Sequence, residues 1–203
     1  MMEEIIMELN DVHGTQKAYR KILQSMARPG ENFILPNETN NMMAYVTCLE
    51  GTKTLLYTLL DSSVTFHIPT ENQQMIDLIS TYTLARHETI EKADFVICPK
   101  GTTEQQLIRC MEKCAIGTLT DPHLSTTFII EQSMNEQLPS LPITGPGVKE
   151  VNKMKLGVPE HVLAVREARL QEFPLGFDMI FVQEDGNIFS LPRTSHVGRK
   201  VTQ

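Results

Sequence analysis

The chain has 203 residues, of which 41% are hydrophobic and 21% charged, and its formal net charge is −7. These values are typical of a globular protein and argue against a disordered chain. The acidic balance, without a cluster of Lys or Arg, argues against nucleic-acid binding through the phosphate backbone, but leaves room for a local basic pocket that binds a phosphorylated small molecule. The length fits one domain, residues 1–203.

The sequence shows no pattern for export or membrane insertion. Glu3 and Glu4 stand where a signal peptide would be basic, and no segment approaches the roughly 20 apolar residues of a membrane span. The cysteines lie inside apolar segments, as buried free thiols do. They are Cys48, Cys98, Cys110 and Cys114. We therefore expect a cytoplasmic protein that contacts neither membrane nor nucleic acid.

The first quarter of the chain predicts mainly helices. Apolar residues before Pro29-Gly30 recur at helical spacing, with Thr15 as a plausible N-cap. They are Tyr19, Ile22, Leu23 and Met26. A short strand over 33–35 should follow, and helical spacing returns over 42–60.

The middle of the chain alternates strands with helices. Strands are predicted at 63–68, 95–98 and 126–131, the second of them wholly apolar, as in a strand covered on both faces. Capping boxes at Thr70/Gln73 and Thr103/Gln106 each predict the start of a helix. This alternation predicts an α/β fold, with helices packed on a mixed, largely parallel sheet.

The last third predicts one helix and one hairpin. The helix begins at Val158-Pro159 and ends at Phe173-Pro174. Strands over 177–183 and 187–191 should then pair across Asp185-Gly186, the residue pair that a type I′ turn prefers.

No self-contained catalytic motif is present, whether P-loop, GxGxxG, HExxH or GxSxG. Cys110 and Cys114 are four residues apart on a helix and could share a metal ion. Because no second Cys or His pair accompanies them at ligand spacing, we interpret them as core thiols. His67 and His161 stand alone and favour structural roles.

Two motifs have both a structural and an anion-binding interpretation. Arg28, at a helix C-terminus, complements the helix dipole, or else it is aimed at an acid or a phosphate. Gly145-Pro146-Gly147 forms a tight turn, which could also present backbone N–H groups to an anion.

Asp178 is an acid in an apolar stretch, so it needs a cation or several N–H donors. Arg193, just beyond the partner strand of the hairpin, is the nearest candidate, and Arg28 is the second. Our hypothesis is a structural ion pair between Asp178 and an arginine at this end of the hairpin.

Four motifs, taken in order, resemble the PhnH family of the carbon–phosphorus lyase system. They are Tyr19-Arg20 with Met26–Gly30, then Thr144–Val148, Phe173–Asp178 and Leu191–His196. The resemblance covers nearly the whole chain, although 37–137 carries little signature, and Ser195 stands where the family often has Thr. The motif residues expected to bind or to shape the fold are Arg20, Arg28, Gly145, Pro146, Gly147, Asp178, Arg193 and Thr194.

The resemblance implies a fold like the large domain of pyridoxal-phosphate-dependent transferases without the cofactor site, hence no cofactor. It implies a non-catalytic accessory subunit that assembles with PhnG, PhnI and PhnJ and forms a homodimer when isolated. With an ATP-binding-cassette-like protein, that complex makes ribose 1-alkylphosphonate 5-triphosphate from ATP and an alkylphosphonate and releases adenine. A later radical step at an iron–sulfur subunit breaks the carbon–phosphorus bond.

Two alternatives remain open from the sequence. A pyridoxal-phosphate enzyme would need a Schiff-base lysine and an acid facing the pyridine nitrogen, for which Lys100 and Asp178 are the candidates. A module that delivers phosphonate or nucleotide would use Arg28, Arg193, Thr194 and the Gly145–Gly147 turn, since guanidinium and hydroxyl groups bind phosphate.

Overall fold

A computed structural model describes residues 2–36, 43, 45–133, 140–148, 152–170 and 172–198. The helices of these residues are α1 (Met2–Ala27), α2 (Glu50–Leu59), α3 (Gln73–Thr83), α4 (Glu104–Lys113) and α5 (Glu160–Arg169). The strands are β1 (Phe33–Ile34), β2 (Thr65–His67), β3 (Arg86–His87), β4 (Phe95–Cys98), β5 (Thr127–Gln132), β6 (Ser140–Thr144), β7 (Asn152–Lys155), β8 (Asp178–Gln183), β9 (Asn187–Leu191) and β10 (His196–Val197).

The larger sheet has seven strands in the order β1-β9-β8-β5-β4-β2-β3. Neighbouring strands from β8 to β3 are parallel, whereas β9 is antiparallel to both β8 and β1. Helices α3 and α4 connect the parallel strands before and after them, because parallel strands need a long crossover. The predicted α/β fold, with helices on a mixed and largely parallel sheet, is confirmed.

Successive residues of the central strands enter two different cores. Val96 and Cys98 of β4 pack beneath α4 and α5, whereas Ile97 packs beneath α1, α2 and α3. In β5, Phe128 and Ile129 divide between the two cores in the same way. Coverage on both faces explains why 95–98 is wholly apolar.

A second, three-stranded antiparallel sheet has the order β10-β6-β7. Thr144 of β6 lies opposite His196 of β10. Ile143, Met154 and Val197 are buried in the same core as α4 and α5. Strands β3, β6, β7 and β10 were not predicted. The pairing of β10 with β6, which joins segments about 50 residues apart, was not predicted either.

Two predicted helix starts are wrong, and one is confirmed. Helix α1 extends back to Met2, so Thr15 lies inside it and is not its N-cap. The N-cap of α3 is Asn72, whose Oδ1 accepts a hydrogen bond from Met75 N at 3.1 Å, and not Thr70. At α4, Thr103 and Gln106 form the predicted capping box. A residue that favours the N-cap position stabilises a helix that begins there, but it does not prevent a helix from beginning earlier in the chain.

The stretch with helical spacing over 42–60 is only partly helical. Residue 42 lies outside the described residues, and α2 begins at Glu50. The predicted helix after Val158-Pro159 is confirmed as α5, which ends at Arg169, before Phe173-Pro174. None of the described helices is long and apolar enough to cross a membrane.

The hairpin of β8 and β9 is confirmed, but its turn is different. Phe181 lies opposite Phe189, and residues 184–186 form a three-residue connection. Gly186 has φ 81°, whereas Asp185 has no positive φ, so the type I′ turn is wrong. Three-residue hairpin loops commonly need one left-handed residue, here Gly186, whereas a two-residue type I′ turn needs two.

Candidate functional site

The turn at Gly145–Gly147 connects the end of α1 with the C-terminal segment. Gly147 has φ 82°, and a Cβ at this position would lie 2.3 Å from Ala27 O, so only glycine fits. A Cβ at Gly145 would lie 2.8 Å from Thr194 O. The structure therefore brings together three of the motifs that are separate in the sequence.

Arg166 of α5 is fully buried behind this contact. Its Nη1 donates hydrogen bonds to Ser195 O at 3.0 Å and to Glu167 Oε1 at 2.9 Å, and its Nη2 donates to Pro192 O at 2.7 Å. Burial lowers the pKa of Arg166 to about 10, against the opposing effect of the Glu167 carboxylate. The guanidinium is thus charged at neutral pH, and oxygens of the chain accept hydrogen bonds from both terminal nitrogens, whereas the buried Nε has no partner among the described residues.

Glu167 holds the last strand in place. Its Oε2 lies 3.0 Å from His196 Nδ1, and its Oε1 accepts a hydrogen bond from Val197 N at 3.3 Å. We refer to Arg166, Glu167, the turn at 145–147 and the segment at 191–197 as the clasp. The clasp joins α5, the small sheet and the end of α1.

Asp178 belongs to the same end of the hairpin, but neither of the arginines predicted as its partner, Arg193 or Arg28, forms an ion pair with it. The charge of Asp178 acts instead on buried Arg166, whose pKa it raises against the effect of burial. Asp178 Oδ1 accepts a hydrogen bond from the backbone N of Arg193 at 2.7 Å. The Arg193 guanidinium extends the other way and donates to Pro122 O and Ser125 Oγ. The acid is therefore satisfied by an N–H donor, and the arginine fastens the loop before β5.

The two arginines of the first motif take no part in these contacts. Arg28 is exposed, with Nη1 3.6 Å from Glu31 Oε2, and it is not a partner of Asp178. Arg20 is exposed as well. Thr194 is half-buried and directs its carbonyl at Gly145. Because the Arg193 guanidinium binds the loop, these residues do not assemble as one phosphate-recognising cluster.

A second polar cluster lies at the carboxyl ends of β4, β5 and β8. Glu131 is buried, with Oε1 accepting hydrogen bonds from Leu49 N at 2.5 Å and from Thr52 Oγ1 at 2.7 Å. Its Oε2 accepts one from Lys100 N at 2.9 Å. Glu131 therefore anchors the start of α2 by accepting hydrogen bonds from the backbone N–H of its N-cap residue, Leu49, and from the hydroxyl group of Thr52 in its first turn.

The geometry separates the two residues considered for pyridoxal phosphate. Lys100 follows the carboxyl end of β4, where its Nζ pairs with Glu184. Asp178 is the first residue of β8, which is parallel to β5 and, through β5, to β4, so it lies at the opposite end of the sheet from Lys100. Six residues of strand span about 17 Å, far more than one cofactor ring can bridge. The pairing of Lys100 with Asp178 is therefore wrong.

The helical cysteines are core thiols. Burial raises the pKa of Cys110 to about 11 and that of Cys114 to about 12, so both stay protonated at neutral pH. Cys114 Sγ donates a weak hydrogen bond to Met111 O at 3.4 Å. Within the described ranges, no group of three or more His, Cys, Asp or Glu residues could hold a metal ion.

Comparison with known proteins identifies the family. The model of the PhnH family, described as bacterial phosphonate metabolism protein, matches residues 9–198, which include the whole clasp. The chain belongs to the PhnH family. A similar protein from Stutzerimonas stutzeri, named putative C-P lyase subunit protein HtxG, is 25% identical over 186 residues, covering 91% of this chain and 86% of that protein. The resemblance seen in the four motifs is confirmed.

Sequence reasoning missed Arg166 and Glu167, the centre of the clasp. One signal was available, because Arg166 shares a helix face with the buried residues Val162 and Leu163. A charged residue in an apolar stripe indicates a buried ion with partners. The identity of those partners was not readable, since they are backbone carbonyls.

Proposed function

We propose that this chain is a non-catalytic accessory subunit of a carbon–phosphorus lyase core complex in organic phosphonate catabolism. The family match over residues 9–198 carries the proposal. The relative named as a putative C-P lyase subunit, which aligns over most of both chains, supports it.

The contacts of the motif residues agree with an architectural role. Gly145 and Gly147 press against backbone, Asp178 binds a backbone N–H, and Arg193 binds a loop. Groups whose donors and acceptors are occupied inside the chain shape the surface and are not free for chemistry on a substrate. The motifs by which the chain resembles its family thus preserve the shape of a subunit.

The partners would be PhnG, PhnI and PhnJ, and the isolated chain would be a homodimer. In the complex it supports formation of ribose 1-alkylphosphonate 5-triphosphate from ATP and an alkylphosphonate, with release of adenine. The large-domain fold of pyridoxal-phosphate-dependent transferases belongs to the same proposal.

The outer face of α1 is a suitable contact surface for a partner subunit. Tyr19 and Leu23 lie one turn apart and are 48% and 51% exposed, while Ala18 and Ile22 beside them are buried. Exposed aromatic side chains are enriched in protein interfaces, and an adjacent exposed Leu adds apolar surface to the same face.

Co-expression with PhnG, PhnI and PhnJ of the same genome, followed by affinity purification on this chain and sizing, tests the proposal. We expect the four chains to co-purify in fixed ratio, and Tyr19→Ser/Leu23→Ser to weaken that association without changing the melting temperature. Thr81→Ser, on the exposed face of α3, is the control. Elution of this chain alone, while the other three assemble, would contradict the subunit role.

The delivery-module alternative needs a ligand site other than the clasp, because the Arg193 guanidinium is occupied there. Calorimetry with ATP and methylphosphonate, on the unmodified chain and on Arg193→Ala, tests whether Arg193 recognises the phosphate. An equal response from both proteins would show that Arg193 is not the recognising group.

A further inference from the structure

A cavity of about 400 Å³ opens between α4 and the segments that follow β2 and β3. Its volume is in the range typical of small-molecule sites. One wall is a single face of α4, formed by Gln106, Arg109, Cys110 and Lys113. The opposite wall is formed by His67, Pro69, Glu71 and Ile90. We call this cavity the α4 pocket.

Two cations one helical turn apart line the α4 pocket. Arg109 and Lys113 repel each other at this spacing, so an anion between them would stabilise both. Lys113 Nζ lies 3.9 Å from Glu91 Oε1, and both side chains are exposed, which makes this a weak pair. Arg109 has no ion pair in the part of the chain that the structure describes. Because the Glu91 carboxylate lies beside Lys113 and Glu71 is on the opposite wall, the positive charge left for an anionic group is concentrated at Arg109.

His67 adds a third polar group with a fixed orientation. Its Nδ1 lies 3.0 Å from Glu88 O, and because a carbonyl only accepts, Nδ1 carries the proton. The ring also stacks on His87, with centroids 5.6 Å apart. Nε2 carries no proton in this tautomer, so it is an acceptor that a hydroxyl group of a ligand can reach.

The remaining lining separates an apolar floor from a polar rim. Ile90 and Cys110 are buried and present carbon and sulfur. Gln106 Nε2 donates a hydrogen bond to Pro69 O at 3.2 Å, which ties the two walls together. Glu71 offers a carboxylate, which repels a phosphate but accepts hydrogen bonds from hydroxyl groups.

We propose that the α4 pocket binds a phosphorylated polyol of about the size of a pentose phosphate. Arg109 and Lys113 bind the phosphate, Glu71 and His67 Nε2 accept hydrogen bonds from the hydroxyls, and Ile90 and Cys110 contact the carbon chain. Charge-assisted hydrogen bonds to phosphate supply most of the affinity. This site is separate from the clasp, and its occupation does not require the other subunits.

Calorimetry on the full isolated chain tests this site, with ribose 5-phosphate, ribose and inorganic phosphate as probes. We expect ribose 5-phosphate to bind more tightly than inorganic phosphate, and ribose to give no heat. Arg109→Ala/Lys113→Ala should raise the Kd for ribose 5-phosphate by about tenfold or more. Both residues are exposed, so the variant should fold normally. Lys21→Ala, an exposed charge on α1 at the opposite face of the large sheet, should change the Kd by less than about twofold.

The proposed site would be overturned if ribose 5-phosphate gave no heat. It would also be overturned if Arg109→Ala/Lys113→Ala and Lys21→Ala changed the Kd for ribose 5-phosphate equally. Equal affinity for inorganic phosphate would overturn the polyol. Glu71→Gln isolates the hydroxyl contacts, since it should weaken ribose 5-phosphate binding without weakening phosphate binding. Co-purification with the other subunits is measured separately, so loss of ligand binding and loss of assembly are distinguishable.

Discussion

Arg166 in the clasp and Arg109 in the α4 pocket are the same residue type in opposite situations. Arg166 has no exposed surface, and three backbone carbonyls and Glu167 accept its hydrogen bonds. Arg109 is exposed and lines a cavity beside a second cation. A buried charge with internal partners serves the fold, whereas an exposed charge at a cavity is available to a ligand. The comparison separates stability from binding within one chain.

The largest expected effect is on stability, from Arg166→Met. Removing the guanidinium leaves the buried carbonyls of 191–195 without their donor and takes the neighbouring cation from the Glu167 carboxylate, at a cost of about 3–5 kcal/mol in the free energy of unfolding. Arg109→Met is the matched control and should change it by less than about 0.5 kcal/mol. Urea unfolding followed by circular dichroism measures both. If Arg166→Met and Arg109→Met lowered the free energy of unfolding by similar amounts, the clasp and the α4 pocket would not differ in their contribution to stability.

Gly147→Ala should destabilise the clasp by about 2–3 kcal/mol, because it combines an unfavourable positive φ with a clash against Ala27 O. Gly101→Ala, before α4, is a control that tests the unfavourable positive φ without a steric clash. Gly101 has φ 95° with no atom within 4 Å of a Cβ, so we expect a loss of about 1 kcal/mol. The difference in melting temperature between the two variants measures the packing of the turn on α1. Equal melting temperatures would mean that the turn can move aside.

Asp178→Ala should cost about 1–2 kcal/mol, since Arg193 N loses its charged acceptor. Asp178→Asn should cost less, because the amide retains Oδ1 as an acceptor. Glu71→Gln in the α4 pocket should leave thermal stability unchanged. The melting temperatures of Asp178→Ala, Asp178→Asn and Glu71→Gln measure these differences, which are the smallest that we predict. An equal loss for Asn and Ala would show that the charge of Asp178 matters more than its hydrogen bond.

Local chemistry made parts of the fold predictable. The apolar run at β4 and the capping box at Thr103 both depend on residues within a few positions of one another, and both are confirmed. The hairpin was predictable for the same reason, although its turn type depended on one additional loop residue. Such signals need no knowledge of distant segments.

The clasp was less predictable because its partners are distant in sequence. Asp178 was recognised as an acid in need of a donor, but the donor is the backbone of Arg193 and not its side chain. The Arg193 guanidinium instead reaches Pro122, 71 residues away. Nothing in the residue types near Arg193 indicates that loop. Likewise, the α4 pocket combines one helix face with His67 and Glu71, which only the parallel pairing of the edge strands brings together.

The clasp also bears on how the chain folds during synthesis. The carbonyls that accept hydrogen bonds from Arg166 follow it by 25 to 29 residues. When the ribosome has just produced α5, those acceptors do not yet exist, and burial of the guanidinium would be costly. We therefore expect α5 to dock stably only after the C-terminal segment has emerged. On this expectation, the last third of the molecule folds after β2, β4 and β5 have been synthesised.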